Sequence, residues 1–148
     1  MSHVRLALLV FAAGLSSGAS ATDWWLIGSN DQGALYLDRS SLKRSGDIAV
    51  QHLMVVQPRS PIRRIEVTER IDCKKATAVD VRQVFILVNG KRFDRPVQVQ
   101  QRSPRPGTNG WASYRFACGS DAERRTLGTP VPQVDIEQIA QAVIAPSR

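Results

Sequence analysis

The sequence contains little of what catalytic and metal-binding sites are built from. Of its 148 residues only two are histidine, His3 and His52, and only two are cysteine, Cys73 and Cys118. A zinc site takes about four ligands at short spacings, and a Ser-His-acid arrangement would have to use His52. After residue 21, neither a Gly-x-Ser-x-Gly elbow nor a phosphate-binding glycine loop occurs. We therefore expect a protein that is not an enzyme and that uses no metal and no cofactor.

The sequence also lacks an apolar run long enough to cross a membrane, which takes about 20 residues. The run from Leu6 to Leu15 is shorter, follows Arg5 and precedes the small residues Ala19 and Ala21. This order is typical of a secretory signal peptide. We predict that residues 1–21 are removed by cleavage after Ala21. No lipid anchor is expected at the new N-terminus, because the residue directly after the cut is not a cysteine. The mature chain is expected to be soluble, not membrane-spanning, and exported to the periplasm, the cell surface or the medium.

Export bears on the expected state of the two cysteines. In an oxidising compartment a cysteine pair in a small domain indicates a disulfide bond. Cys73 and Cys118 allow one intramolecular pairing, across 45 positions of sequence. A metal site, a catalytic thiol and an intermolecular bridge are the alternatives, but the ligand count is too low and nothing pairs His52 with either cysteine. The sequence therefore predicts a structural Cys73–Cys118 bond.

Acidic residues are outnumbered, 13 to 20, which gives a formal net charge of +7. Two interpretations remain open: the basic residues solvate the surface of a small sheet, or they meet an anionic surface ligand such as a lipopolysaccharide or a sulfated glycan. Export argues against nucleic acid. Adjacent tryptophans in a strand point to opposite faces, so one of Trp24 and Trp25 should be buried. Two roles remain open for these side chains: packing, or contact with a ligand. The candidate ligand contacts are Trp24, Trp25, Arg63, Arg64, Lys91 and Arg92.

Alternation of apolar and polar residues predicts an antiparallel sheet. Strands are expected at residues 24–27 and 34–38, joined by a six-residue connection, and at residues 48–56, 64–72 and 76–88, with a short strand after the Asn89-Gly90 turn. In the fourth strand Ile65, Val67 and Ile71 share a face. Glu66 and Glu69 fall on opposite faces, so they cannot easily share a proton. Unbroken alternation in the fifth strand would place Val79, Val81, Gln83 and Phe85 together.

Three later segments carry further expectations. Residues 109–118 fit either a strand or a helix that begins after Thr108, and residues 123–132 resemble a linker. Residues 135–145 form an amphipathic pattern that begins at Asp135 and ends before Pro146. Its apolar stripe consists of Ile136, Ile139, Ala140, Val143 and Ile144. The helix predicted here packs either on its own sheet or on a partner.

Three stretches together resemble the surface-adhesin protein E-like family of Gram-negative exported proteins. They are "WWLIGSNDQGALYLDRSSLKRSG", "ERIDCKKATAVDVRQVF" and "PGTNGWASYRFACG", and they span residues 24–119. The resemblance implies an antiparallel sheet with a helix against it and both cysteines in one bridge. It also favours the helix at residues 109–118.

The combined prediction is an α+β fold, an antiparallel β-sheet with one or two helices packed against it and one disulfide. We expect a signal peptide at residues 1–21, a protein E-like domain at 22–120, and a linker with an amphipathic helix at 121–148. The expected function is a non-enzymatic exported binding module for a host or anionic surface ligand. The alternative is an accessory envelope protein whose C-terminal helix docks onto a larger partner.

Overall fold

A computed structural model of the chain describes residues 22–132, except residues 32, 58 and 99, together with Gln138. This part contains one seven-stranded antiparallel sheet and two helices. The strands are β1 (Trp24–Asn30), β2 (Gly33–Ser45), β3 (Ile48–Val56), β4 (Ile62–Asp72), β5 (Thr77–Leu87), β6 (Arg92–Arg95) and β7 (Thr129–Pro130). The helices are α1 (Asn109–Cys118) and α2 (Asp121–Leu127). The α+β class predicted from the sequence is confirmed.

The sheet has the order β6-β5-β4-β3-β2-β1-β7, so β1 to β6 form a meander and β7 closes the far edge beside β1. Gly46 and Gly90 adopt positive φ angles of 59° and 80° in the turns before β3 and β6, a conformation that glycine adopts without strain. The first hairpin is tighter than expected. Asn30 pairs directly with Gly33, so a two-residue turn replaces the six-residue connection.

The two faces of the sheet are both apolar in part. The helix face, against which α1 and α2 lie, carries the largest cluster of buried apolar side chains. That cluster consists of Trp25, Leu35, Leu37, Leu53, Val67 and Phe116. The opposite face, called the back face below, carries a second cluster of Ala34, Tyr36, Met54 and Val56. Period-two alternation in β2 and β3 separates the two sets.

Residues 109–118 form a helix, which settles the choice that the sequence left open. The Thr108 hydroxyl accepts a hydrogen bond from the Trp111 amide at the start of α1. At the other end, Arg124 of α2 donates to the carbonyl oxygens of Phe116 at 2.6 Å and Gly119 at 2.7 Å. A cation bonded to the last carbonyls is favourable for the helix dipole. Phe116 itself is fully buried.

The predicted disulfide is present and fastens α1 to the sheet. Cys73, directly after β4, is bonded to Cys118, the last residue of α1, with their Cα atoms 5.5 Å apart. Ala49, Ile71, Ala78 and Ala117 form a small buried cluster beside it. These short side chains let the helix approach the strands closely.

The expectation of a linker at residues 123–132 is wrong. Ser120 begins α2 with a capping box in which Glu123 takes part, and Thr129–Pro130 then pair with β1. The polar composition of this stretch is that of an exposed helix held by its cap, which a search for apolar periodicity does not find. The amphipathic helix predicted at residues 135–145 lies outside the described residues, except for Gln138.

Removal of the disulfide is expected to destabilise the fold strongly. Closing a loop of 45 residues restricts the unfolded chain by about 4 kcal/mol on the chain-entropy model. Cys73→Ala and Cys118→Ala should each lower the free energy of unfolding by roughly 2–5 kcal/mol, measured by urea denaturation. The double variant should lose no more than either single one. Additive losses, or two free thiols in a titration of the native exported protein, would contradict the bond.

Candidate functional site

Helix α1 covers only part of the helix face, and a cleft opens beside its first turns. The cleft has a volume of about 320 Å³ and is bordered by Asn109, Gly110 and Ser113 of α1. Its floor is made of apolar side chains from four adjacent strands, namely Leu35, Leu53, Val55, Ile65, Val67 and Phe85. A concave, largely apolar surface with a few polar groups at its rim is the usual form of a ligand site.

A β-bulge shapes the wall of this cleft. The pairing of β4 with β5 shifts between Thr68 and Glu69, so Val81 has no partner opposite it and is 51% exposed. The expected grouping of Val79 and Val81 with Gln83 and Phe85 is therefore wrong. The extra residue reverses the alternation. As a result Asp80 and Gln83 both face the cleft, where the Gln83 side-chain amide donates to the Asp80 carboxylate at 2.7 Å.

Two arginines from outside the central strands complete the rim. Arg102 forms ion pairs with Asp80 and with Glu69, the latter at 3.2 Å. Its backbone is fixed by reciprocal 2.9 Å hydrogen bonds with Ala78. Arg95 of β6 lies over the Phe85 ring, with its guanidinium carbon 5.6 Å from the ring centroid. Within residues 22–132 as described, Arg95 forms no ion pair.

Glu69 is a buried acid at the inner end of the cleft. Its side chain is 2% exposed and accepts hydrogen bonds from the Ser113 hydroxyl and from the Gln51 amide. Burial raises the pKa of the Glu69 carboxyl above its ordinary value, and the hydrogen bonds and the charge of Arg102 offset only part of that effect. The group ties β3, β4 and α1 together where the helix leaves the sheet uncovered.

The residues proposed from the sequence as ligand contacts do not line this cleft. Trp25 is a core residue, 6% exposed, and packs edge-on against Phe116, while Trp24 is half-buried on the back face. The expectation that adjacent tryptophans split between the two faces is confirmed.

The basic candidates are divided in a similar way. Arg64 and Arg92 meet on the back face, where they bind the two carboxylate oxygens of Glu66 at 3.0 and 2.9 Å. Arg64 is buried and Arg63 is half-buried, while Lys91 is exposed in the turn between β5 and β6. The structure thus brings Arg64 and Arg92 together, but not with the tryptophans.

The sequence contained a signal for one of the missed residues. Glu69 falls in step with Ile65, Val67 and Ile71, and an acidic residue on the apolar face of a strand indicates a buried polar group with a partner. Arg102 gave no such signal, because it lies in an irregular segment that a single bridge to Ala78 places against the sheet. Within the described part of the chain, no three metal-ligating side chains gather at one point.

The described fold, a meander sheet with a disulfide-anchored helix on one face, is that of a known class of small α+β proteins. It is similar to three crystal structures of Haemophilus influenzae protein E, including crystal form II and a selenomethionine form, each with a TM-score of 0.50 and 17% sequence identity. The similarity covers 74% of this chain and 96%, 92% and 90% of those chains. This chain has a protein E-like fold.

The other two comparisons find nothing: no family model and no curated protein matches the sequence. Among the described helices none has the length and apolar character that crossing a membrane requires.

The raised pKa of Glu69 predicts a pH dependence of stability. Because the folded state holds this proton more tightly than the unfolded state, the contribution of Glu69 to stability is greatest below its ordinary pKa of 4.5 and is lost as pH rises through the raised value. Glu69→Gln removes this titration. The free energy of unfolding of the parent relative to Glu69→Gln should therefore increase from neutral to mildly acidic pH, by at most about 1.4 kcal/mol per pH unit.

Chemical denaturation at a series of pH values measures this difference. Glu66→Gln is the matched control, since Glu66 lies three positions away on the back face of the same strand. The variant Ser113→Ala should move the titration of Glu69 to still higher pH, because it removes a hydrogen bond that lowers the pKa. Parallel pH profiles for the parent and Glu69→Gln would refute the assignment.

Proposed function

We propose that this chain is a non-enzymatic exported binding module whose cleft takes up an anionic ligand with an apolar part. The observation that carries the proposal is the position of Arg95, a cation without an ion-pair partner among the described residues, beside an uncovered apolar floor. An open apolar surface favours a ligand that removes it from water. A cation at its rim favours an acidic group on that ligand.

The two arginines of the cleft, Arg95 and Arg102, have different roles in this proposal. Arg102 is already paired with Asp80 and Glu69, so its charge is compensated within the protein and it holds the rim in place. Arg95 is held at the rim by its contact with Phe85 and by the pairing of β6 with β5. It is therefore the arginine of the cleft that forms no ion pair among the described residues, and the one to which we assign the acidic group of the ligand.

The resemblance to surface-adhesin protein E-like proteins supports the same class of function, binding by an exported domain. In this proposal residues 1–21 are removed as a signal peptide and the domain extends from Thr22 through β7, since β7 belongs to the same sheet. A volume of about 320 Å³ lies near the lower end for small-molecule sites. It suits a short acyl group or one apolar side chain rather than a large ring system.

Octanoate and octanol provide a matched pair of probes that differ in charge. Octanoate should bind at least about 10-fold more tightly than octanol, since a hydrogen bond to a charged group contributes roughly 1.5–3 kcal/mol. Arg95→Ala should remove that difference, and Val55→Phe, which fills the floor, should weaken both probes. Titration calorimetry at low and high salt measures the affinities, and the octanoate affinity should fall as salt screens Arg95.

Arg82→Ala is the control for these variants. Arg82 lies in β5 next to Gln83, the residue that pairs with Arg95, but it forms an ion pair with Asp94 away from the cleft. It should leave both affinities unchanged. Unaltered octanoate binding by Arg95→Ala would overturn the proposal. If Lys91→Glu with Arg92→Glu instead abolishes binding of a sulfated glycan while Arg95→Ala does not, the exposed basic turn is the ligand site.

A further inference from the structure

The apolar side chains of the second cluster, on the back face of the sheet, are almost completely buried. Leu26, Tyr36 and Met54 stand side by side across β1, β2 and β3, with Ala34 and Val56 in the next row. Met54 and Val56 are 0% exposed, and Ala34 and Tyr36 are 3% and 5% exposed. A single sheet with helices on one side leaves its other face in contact with water. Complete burial of side chains on that face requires another layer.

Neither described helix supplies this layer. Phe116 and Ala117 of α1 and Leu127 of α2 pack into the clusters of the helix face. On the back face, the described residues that border the second cluster are Trp24, Leu26 and Val131. Two of these belong to β1. Only Val131 comes from a segment that can continue over the face.

The path of the chain points to the segment that follows Val131. β7 pairs with β1 at the edge of the sheet, and the Val131 amide then donates to the Trp24 carbonyl at 2.8 Å. Val131 packs against the second cluster. The chain therefore reaches the back face at Val131, beside its apolar residues.

We propose that residues 135–145 form an amphipathic helix of this same chain that packs across the back face, over Met54. The apolar stripe of Ile136, Ile139, Val143 and Ile144 would cover the second cluster. A helix of this length extends about 16 Å, and four adjacent strands span about 14 Å. Gln138 has helical backbone and an exposed side chain, as the polar side of that helix requires.

Met54 allows a direct test, because a chain that begins at Thr22 contains no other methionine. Its oxidation by dilute peroxide, followed by mass spectrometry, reports whether the back face is covered. In the mature chain oxidation should be slow. In a chain that ends at Pro132 it should be at least about 10-fold faster, since a side chain without its cover is open to solvent and reagent.

A full-length variant guards against the failure of the truncated chain to fold. Ile139→Asp places a charge in the stripe and should accelerate Met54 oxidation and lower the melting temperature, whereas Gln141→Asp on the polar side should change neither. Circular dichroism and the state of the Cys73–Cys118 bond establish that the sheet persists in each variant.

Each other outcome identifies a different arrangement and overturns the proposal. Equally slow oxidation with and without the tail means that another element covers Met54. Equally fast oxidation means that the back face is open in the mature chain and that a larger partner is its natural cover. Protection that is lost on 10-fold dilution means that the tail of a second copy provides the cover.

Discussion

The attachment of α1 at its C-terminal end determines the rest of this structure. Three interactions converge there: the Cys73–Cys118 bond, the burial of Phe116, and the hydrogen bonds of Arg124 to the last carbonyls of the helix. The first limits the unfolded chain, the second removes apolar surface from water, and the third satisfies groups that the helix leaves free. A helix of ten residues is too short to be stable alone, so its position depends on this anchor.

Because the anchor is at one end, the helix leaves part of the sheet uncovered. The apolar floor beside Asn109 and Gly110 is the consequence. Glu69 lies where the covered and uncovered parts meet, and its burial carries a desolvation penalty that its hydrogen bonds and Arg102 offset only in part. An apolar residue there would pack at lower cost. Glu69 links two strands, a helix and Arg102. It therefore fixes the shape of the cleft at some expense of stability.

Much of the fold was predictable because it depends on local patterns. The apolar run of β3, the period-two run of β4, the Asn89-Gly90 turn and the cysteine pair predicted an antiparallel sheet and its disulfide. Two classes of feature were not predictable. The bulge at Val81 arises from how β4 and β5 pair, and α2 is held by its cap and by Arg124 rather than by an apolar stripe. For the candidate site, the position of Glu69 on the apolar face of its strand indicated a buried acid. The positions of Arg95 and Arg102 could not be predicted, because they depend on the pairing of these residues with Gln83 and Ala78.

The net charge of the chain does not by itself locate a ligand site. On the back face Arg64 and Arg92 share Glu66, and Arg82 pairs with Asp94, so each of these arginines has a carboxylate partner. Of these, the exposed Arg82–Asp94 pair contributes little energy and is screened by salt. Arg95 forms no ion pair among the described residues and lies against an apolar surface. An anion bound there would be shielded from water, which strengthens its attraction to the guanidinium group. The distribution of partners, rather than the number of arginines, is therefore what supports the proposal of a ligand site in the cleft.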